Sequence, residues 1–176
     1  TGLTGGVAYK AQIVTENSVG IQASSLANVA FTTVDFTAPL SVNRGILNNA
    51  DKKTYALFMV FNEQIVGGTG NLDLRKKSDE SYVKTIPASA ITSTKITTTA
   101  DATKYGVAVN NWVSVIDLGM TLPSYTEYYV VFPSGYIKDL AGNVFTAGSF
   151  GNPINKAEWP ITSQDFELPI VTVAFA

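Results

Sequence analysis

Apolar and polar residues alternate with a period of two along most of this chain, and the alternation is broken by turn residues at short intervals. The longest run is residues 55–66, in which Leu57, Met59 and Phe61 place one face of a long strand in a core. Shorter runs at residues 7–14, 19–21, 27–34, 72–74, 82–86, 112–118 and 128–132 predict further strands. Between them, Asn17-Ser18, Asn43-Arg44-Gly45, residues 48–53, Gly67-Gly68-Thr69-Gly70-Asn71, residues 76–80 and residues 102–106 read as turns. The Thr-rich residues 91–100 suit an exposed or edge strand, and no stretch argues for a helix longer than about two turns. The pattern predicts an all-β sandwich or barrel. Its expected core is Leu57, Met59, Phe61, Leu72, Leu74, Val113, Val115, Tyr128, Val130 and Trp159.

Composition narrows what such a fold does. Charged residues make up 15% of the 176 and apolar ones 45%, which is a globular composition with room for one full domain plus parts of neighbours. A net charge of -2 leaves no basic surface for phosphate neutralisation, so nucleic acid is not an expected partner. No apolar run reaches the ~20 residues of a membrane-spanning helix, so membrane insertion is not expected. Histidine and cysteine are both absent, which removes the Ser-His-Asp triad, the thiol nucleophile and ordinary zinc, iron or copper sites. Carboxylate chemistry, Lys or Tyr bases and oxygen-ligated calcium or magnesium stay open. The chain opens at Thr1 with no charged segment leading into an apolar one, and is expected to be a mature or excised segment.

Several motifs together carry a resemblance. A strand begins at Tyr128-Tyr129, followed by Gly135-x-x-x-Asp139-x-Ala141-Gly142-Asn143 and by Trp159-x-Ile161-Thr162-x-x-Asp165. Earlier stand Pro39-Leu40-Ser41-Val42 and Leu57-x-x-x-Phe61-x-Glu63-x-Ile65. Over residues 35–165 this resembles the bacterial Ig-like domain of S-layer proteins and large secreted surface proteins, with Ile65 where that family has Val. The resemblance implies an Ig-like antiparallel β-sandwich at an extracellular surface. It also implies a spacer, wall component or adhesive module in place of a catalyst.

The chain also resembles itself. Sliding it by about 130 residues superposes residues 31–39 on residues 161–169, with Thr32/Thr162, Asp35/Asp165, Phe36/Phe166 and Pro39/Pro169 identical. In that frame Tyr9 falls near Tyr128, with a longer connecting loop in the second copy. The expected organisation is therefore threefold. Residues 1–34 are closing strands of a preceding repeat, or extra strands of the same sandwich; residues 35–164 are the sandwich; and residues 165–176 open a following repeat or are exchanged with a neighbour.

The candidate sites are few. Asp139 with Asn143, and Asp35 and Asp165 at the junctions, offer oxygen ligands for calcium, against the commoner reading of Asx turns and polar hinges; no other cofactor is expected. Glu63 with Asp73, Asp117 or Glu127 would make a glycosidase-like carboxylate pair, although no spacing selects one. The Gly67 loop lacks the Lys-Ser/Thr of a phosphate-binding loop. Trp112, Trp159, Tyr82, Tyr105, Tyr128, Tyr129 and Tyr136 would stack surface glycans if they shared an exposed face. Finally, residues 168–176 are uncharged and β-prone, with Ile170, Val171, Val173 and Phe175 as assembly residues for strand addition to a neighbouring copy. The function expected is a non-catalytic structural or adhesive repeat, with neighbouring copies as partners. The alternatives are a strand-exchanged filament subunit and a carbohydrate-binding accessory module.

Overall fold

A computed structural model describes residues 3–11, 14–20, 22–24, 29–48, 54–145 and 159–167. The chain divides into two compact units, Thr1–Thr37 and Ala38–Ala176. The first holds four short strands, β1 (Ala8–Ala11), β2 (Val14–Glu16), β3 (Gln22–Ser24) and β4 (Val29–Thr32), paired antiparallel as β1 with β4 and β2 with β3. The chain turns before β3 at Asn17, whose Oδ1 accepts from Val19 N at 3.0 Å, and Gly20 supplies the positive φ of 81°. At residues 3–11, 17–20 and 29–37 of this unit, no side chain is buried.

The second unit is an all-β antiparallel sandwich. Its elements are β5 (Ser41–Asn48), β6 (Thr54–Phe61), β7 (Ile65–Gly67), β8 (Asn71–Lys76), β9 (Tyr82–Pro87), β10 (Thr94–Lys95), helix α1 (Thr99–Tyr105), β11 (Trp112–Thr121), β12 (Glu127–Val131), β13 (Ile137–Asp139) and β14 (Pro160–Thr162). One sheet has the order β10-β11-β6-β5 and the other β14-β12-β8-β9, with β7 and β13 as a separate ribbon. Side chains from both sheets meet in one cluster: Tyr55, Leu57, Met59 and Phe61 of β6, Ile116 and Leu118 of β11, Leu72 and Leu74 of β8, Tyr128 and Val130 of β12, and Trp159 and Ile161.

Strand β6 is buried on both faces. Phe58 and Val60 point away from the sandwich interior into a second cluster with Val113, Ile96, Ala102 and Tyr105. Helix α1 covers this outer face, where sequence reading expects only a turn at residues 102–106. Thr98 caps its N-terminus, accepting at Oγ1 from Asp101 N at 3.1 Å, and Gly106 closes it at a left-handed φ of 64°. Packing secures so short a helix: the Phe58 and Tyr105 rings lie 5.3 Å apart, and Asn43 Nδ2 donates to Tyr105 O at 2.7 Å.

The same contacts correct the turn expected at Asn43-Arg44-Gly45, which lies inside β5. Gly45 sits there because a Cβ would come within 2.7 Å of the Phe58 ring. Of the expected core, Val115 is the exception at 42% exposed. It shares the outer face of β11 with Val113, but borders an open cleft beside α1. Of residues 91–100, Thr94–Lys95 form the two-residue edge strand β10, and Thr99 and Ala100 open helix α1.

Ser114 is 1% exposed on the inward face of β11 opposite Met59, and among the described residues its hydroxyl has no hydrogen-bond partner. A buried unpaired hydroxyl costs ~1–3 kcal/mol, so Ser114→Ala is expected to raise the unfolding free energy by about 1 kcal/mol, read as a later urea midpoint at unchanged slope.

Candidate functional site

The turn after β13 is built by Asp139 and Asn143. Asp139 is buried, its Oδ1 accepts from Asn143 N and its Oδ2 from Asn143 Nδ2, both at 2.8 Å. Gly142 supplies a φ of 95°, and Asp139 N donates to Asn143 O at 3.0 Å. The Asp139 side chain thus holds the turn by bonding the backbone four residues on, an Asx-type arrangement in which it replaces a backbone acceptor. Because β13 pairs with β7, placing Asp139 opposite Ile65, the Glu63 carboxylate comes within 4.8 Å of that of Asp139. Sequence reading does not pair these two acids, since only the β7/β13 ribbon joins them. Their oxygens are the hard donors that calcium or magnesium takes.

The acids named as partners of Glu63 are each engaged elsewhere. Asp73 accepts from Thr85 Oγ1 at 2.8 Å and pairs with Arg75, Asp117 Oδ1 accepts from Gly119 N at 2.9 Å, and Glu127 pairs with Lys77 at 2.9 Å. In the glycine loop, Gly68 N donates to Tyr136 O at 2.8 Å and Thr69 N to Gly135 O at 2.7 Å, so these amides are spent within the fold. The aromatic rings named for glycan stacking form no exposed row: Trp159, Tyr105, Tyr128, Tyr129 and Tyr136 are buried, Trp112 is half-buried, and Tyr82 is exposed under the Arg75 guanidinium.

The densest polar constellation closes the sandwich. Ser163, buried directly after β14, accepts at Oγ from Thr126 N at 2.8 Å and donates to Pro123 O at 2.6 Å, with Thr126 O at 3.2 Å. Ser163 N donates to Thr126 O at 3.0 Å. Tyr125, between those partners, has a φ of 46°. Asp165 Oδ1 accepts from Ser124 Oγ and from Glu167 N, both at 3.0 Å, and Gln164 N donates to Tyr55 Oη at 2.9 Å. The chain's exit from β14 is thereby tied to the corner that enters β12.

The first unit repeats this constellation. Thr33, directly after β4, accepts at Oγ1 from Val7 N at 3.1 Å and donates to Thr4 O at 2.5 Å, with Val7 O at 3.3 Å. Thr33 N donates to Val7 O at 3.1 Å, and Gly6, where Tyr125 stands in the other copy, has a φ of 70°. Asp35 Oδ1 accepts from Thr37 N at 2.9 Å, as Asp165 does from Glu167 N. Strand registers agree as well: Tyr9 opposes Phe31 and Ala8 opposes Thr32, as Tyr128 opposes Ile161 and Glu127 opposes Thr162.

Asp35 and Asp165 thus occupy matching turns. The assembly residues Ile170, Val171, Val173 and Phe175 lie outside the described residues. Comparison with family models, with curated proteins and with solved structures found no match for the chain.

Two expectations follow from the ribbon and its loop. A Cβ on Gly68 would come within 1.9 Å of Gly135 O, a backbone atom that cannot move alone. Gly68→Ala is therefore expected to cost more than ~2 kcal/mol in denaturant unfolding, whereas Gly142→Ala, with open space around it, pays only for its positive φ, ~1 kcal/mol. Tyr136 is fully buried, and burial pushes its phenol well above the ordinary range. A raised folded-state pKa gives stability that is present below the unfolded value of ~10 and lost as pH rises beyond it. Unfolding stability is thus expected to fall steeply above about pH 10, and Tyr136→Phe to flatten that fall.

Proposed function

We propose that the second unit is an Ig-like sandwich and one structural repeat of a secreted bacterial surface protein, acting as a spacer or adhesive module and not as a catalyst. The observation that carries this reading is the doubled closing constellation. Ser163 and Thr33 hold the same backbone partners at matching positions, and one chain needs two such closures only if it belongs to two sandwiches. Strand order supports the Ig-like part. With β5, β6, β8, β9, β10, β11, β12 and β14 in the roles A, B, C, C′, D, E, F and G, the sheets run D-E-B-A and G-F-C-C′. Secretion and surface location rest on the resemblance of the motifs.

Sequence equivalence favours a covalent array over a strand-exchanged filament. In the 130-residue frame Pro169 falls on Pro39, so the run at residues 170–176 corresponds to the start of β5. Strand β5 pairs with β6, and the first unit corresponds only to the closing part of the sandwich, with no counterpart of β6 among its described strands.

Two measurements test the proposal. Light scattering across a dilution series is expected to give a constant monomer mass, while polymers that grow with concentration would favour exchange. Antibodies to the chain are expected to stain intact cells of its source; staining only after lysis would sink the surface assignment.

A further inference from the structure

We propose that the free edge of β1 is a docking edge for one particular kind of strand, the equivalent of β8, delivered by the body of a further sandwich of the same type. The inference deepens the reading as a repeat and rests on it.

Strand β12 lies between β14 and β8, with Tyr128 opposite Lys76 and Val130 opposite Leu74. Strand β1 matches β12 and has the β14 equivalent, β4, on one side. Among the described residues, no strand of the first unit pairs with its other side. Neighbouring residues of an antiparallel strand turn their backbone groups to opposite edges. Thr33 N donates to Val7 O, so Val7 faces β4, and Ala8 and Lys10 alternate so that Lys10 and Ala8 present N–H and C=O to the free edge. In the complete copy the residue matching Ala8 uses that edge: Glu127 O accepts from Lys77 N, directly after β8, at 2.9 Å.

The face beside this edge carries the same message. Trp159, Ile161 and Tyr128 are 3%, 4% and 2% exposed beneath the opposing sheet. Their counterparts Val29 and Phe31 are 59% and 41% exposed, and Tyr9 stacks on Phe31 at 5.9 Å. A two-stranded ribbon with an uncovered apolar face is marginal in water. What completes it is a strand patterned like Asn71–Lys76, with apolar residues at the places of Leu72 and Leu74, carried by strands equivalent to β5–β11. A second intact copy of this chain is not the donor, because its β8 is flanked by β12 and β9.

The test extends the full chain by placing a copy of residues 38–122 directly ahead of Thr4, the position matching Pro123. Hydrogen exchange then reads the amides of Ala8 and Lys10. They are expected to exchange at least about a hundredfold more slowly than in the unextended chain, as edge amides gain a partner. Unchanged exchange at both amides overturns the proposal, whether or not the added residues fold. Lys10→Pro, which removes an outward N–H while leaving the pairing with β4, is expected to abolish the new protection at Ala8. Protection at Ala8 that survives Lys10→Pro would also overturn it. Neither readout depends on where the protein works, so failed surface staining and failed protection are separate results.

Discussion

The sandwich depends on one strand being dry on both sides. From Tyr55 to Phe61 every residue of β6 is buried, one set facing the opposing sheet and the other facing α1. Burying each large apolar side chain contributes roughly 1.5–3 kcal/mol, so this strand anchors both clusters. A two-sided strand also demands two covers. The second sheet is one, and a helix of under two turns is the other. Asn43 and Gly45 belong to the same requirement, since one holds the last carbonyl of that helix and the other leaves room for the Phe58 ring.

This explains what the sequence disclosed and what it hid. Alternation identified the inward residues of β6, β8 and β12 because the interior of a sandwich imposes a period of two. It misread Asn43-Arg44-Gly45 because turn residues and residues chosen for close approach share an alphabet. Helix α1 carried signals that were legible one by one, a Thr98-x-x-Asp101 cap and Gly106, but its Thr-rich approach looks like strand, and its reason for existing lies on another element. Val115 went astray because the outer face of β11 is covered only where α1 reaches.

The candidate sites were legible in proportion to how local they are. The Asp139–Asn143 turn is written in consecutive residues, and in the structure the Asp139 side chain bonds the Asn143 backbone across it. The approach of Glu63 to Asp139 depends on a ribbon pairing that no spacing announces. The closing constellation is harder still, because Ser163 and Thr33 work through carbonyls and amides that every sequence has. Only the shared Thr32, Asp35, Phe36 and Pro39 hinted that two stretches make the same bonds.

The placement of β6 near the front of its sandwich has a consequence during synthesis. Strand β6 is complete at Phe61, but β12, which brings Tyr128 and Val130 over it, begins only at Glu127. At the ~5–20 residues per second of chain elongation, its inner face waits several seconds for that cover. The pairing partner β5 is already present, and β8 and β9 follow next, so the interval is bridged by strands that arrive in order. An array of such units would present its ribosome with a succession of half-closed sheets, each sealed by the last hairpin to emerge.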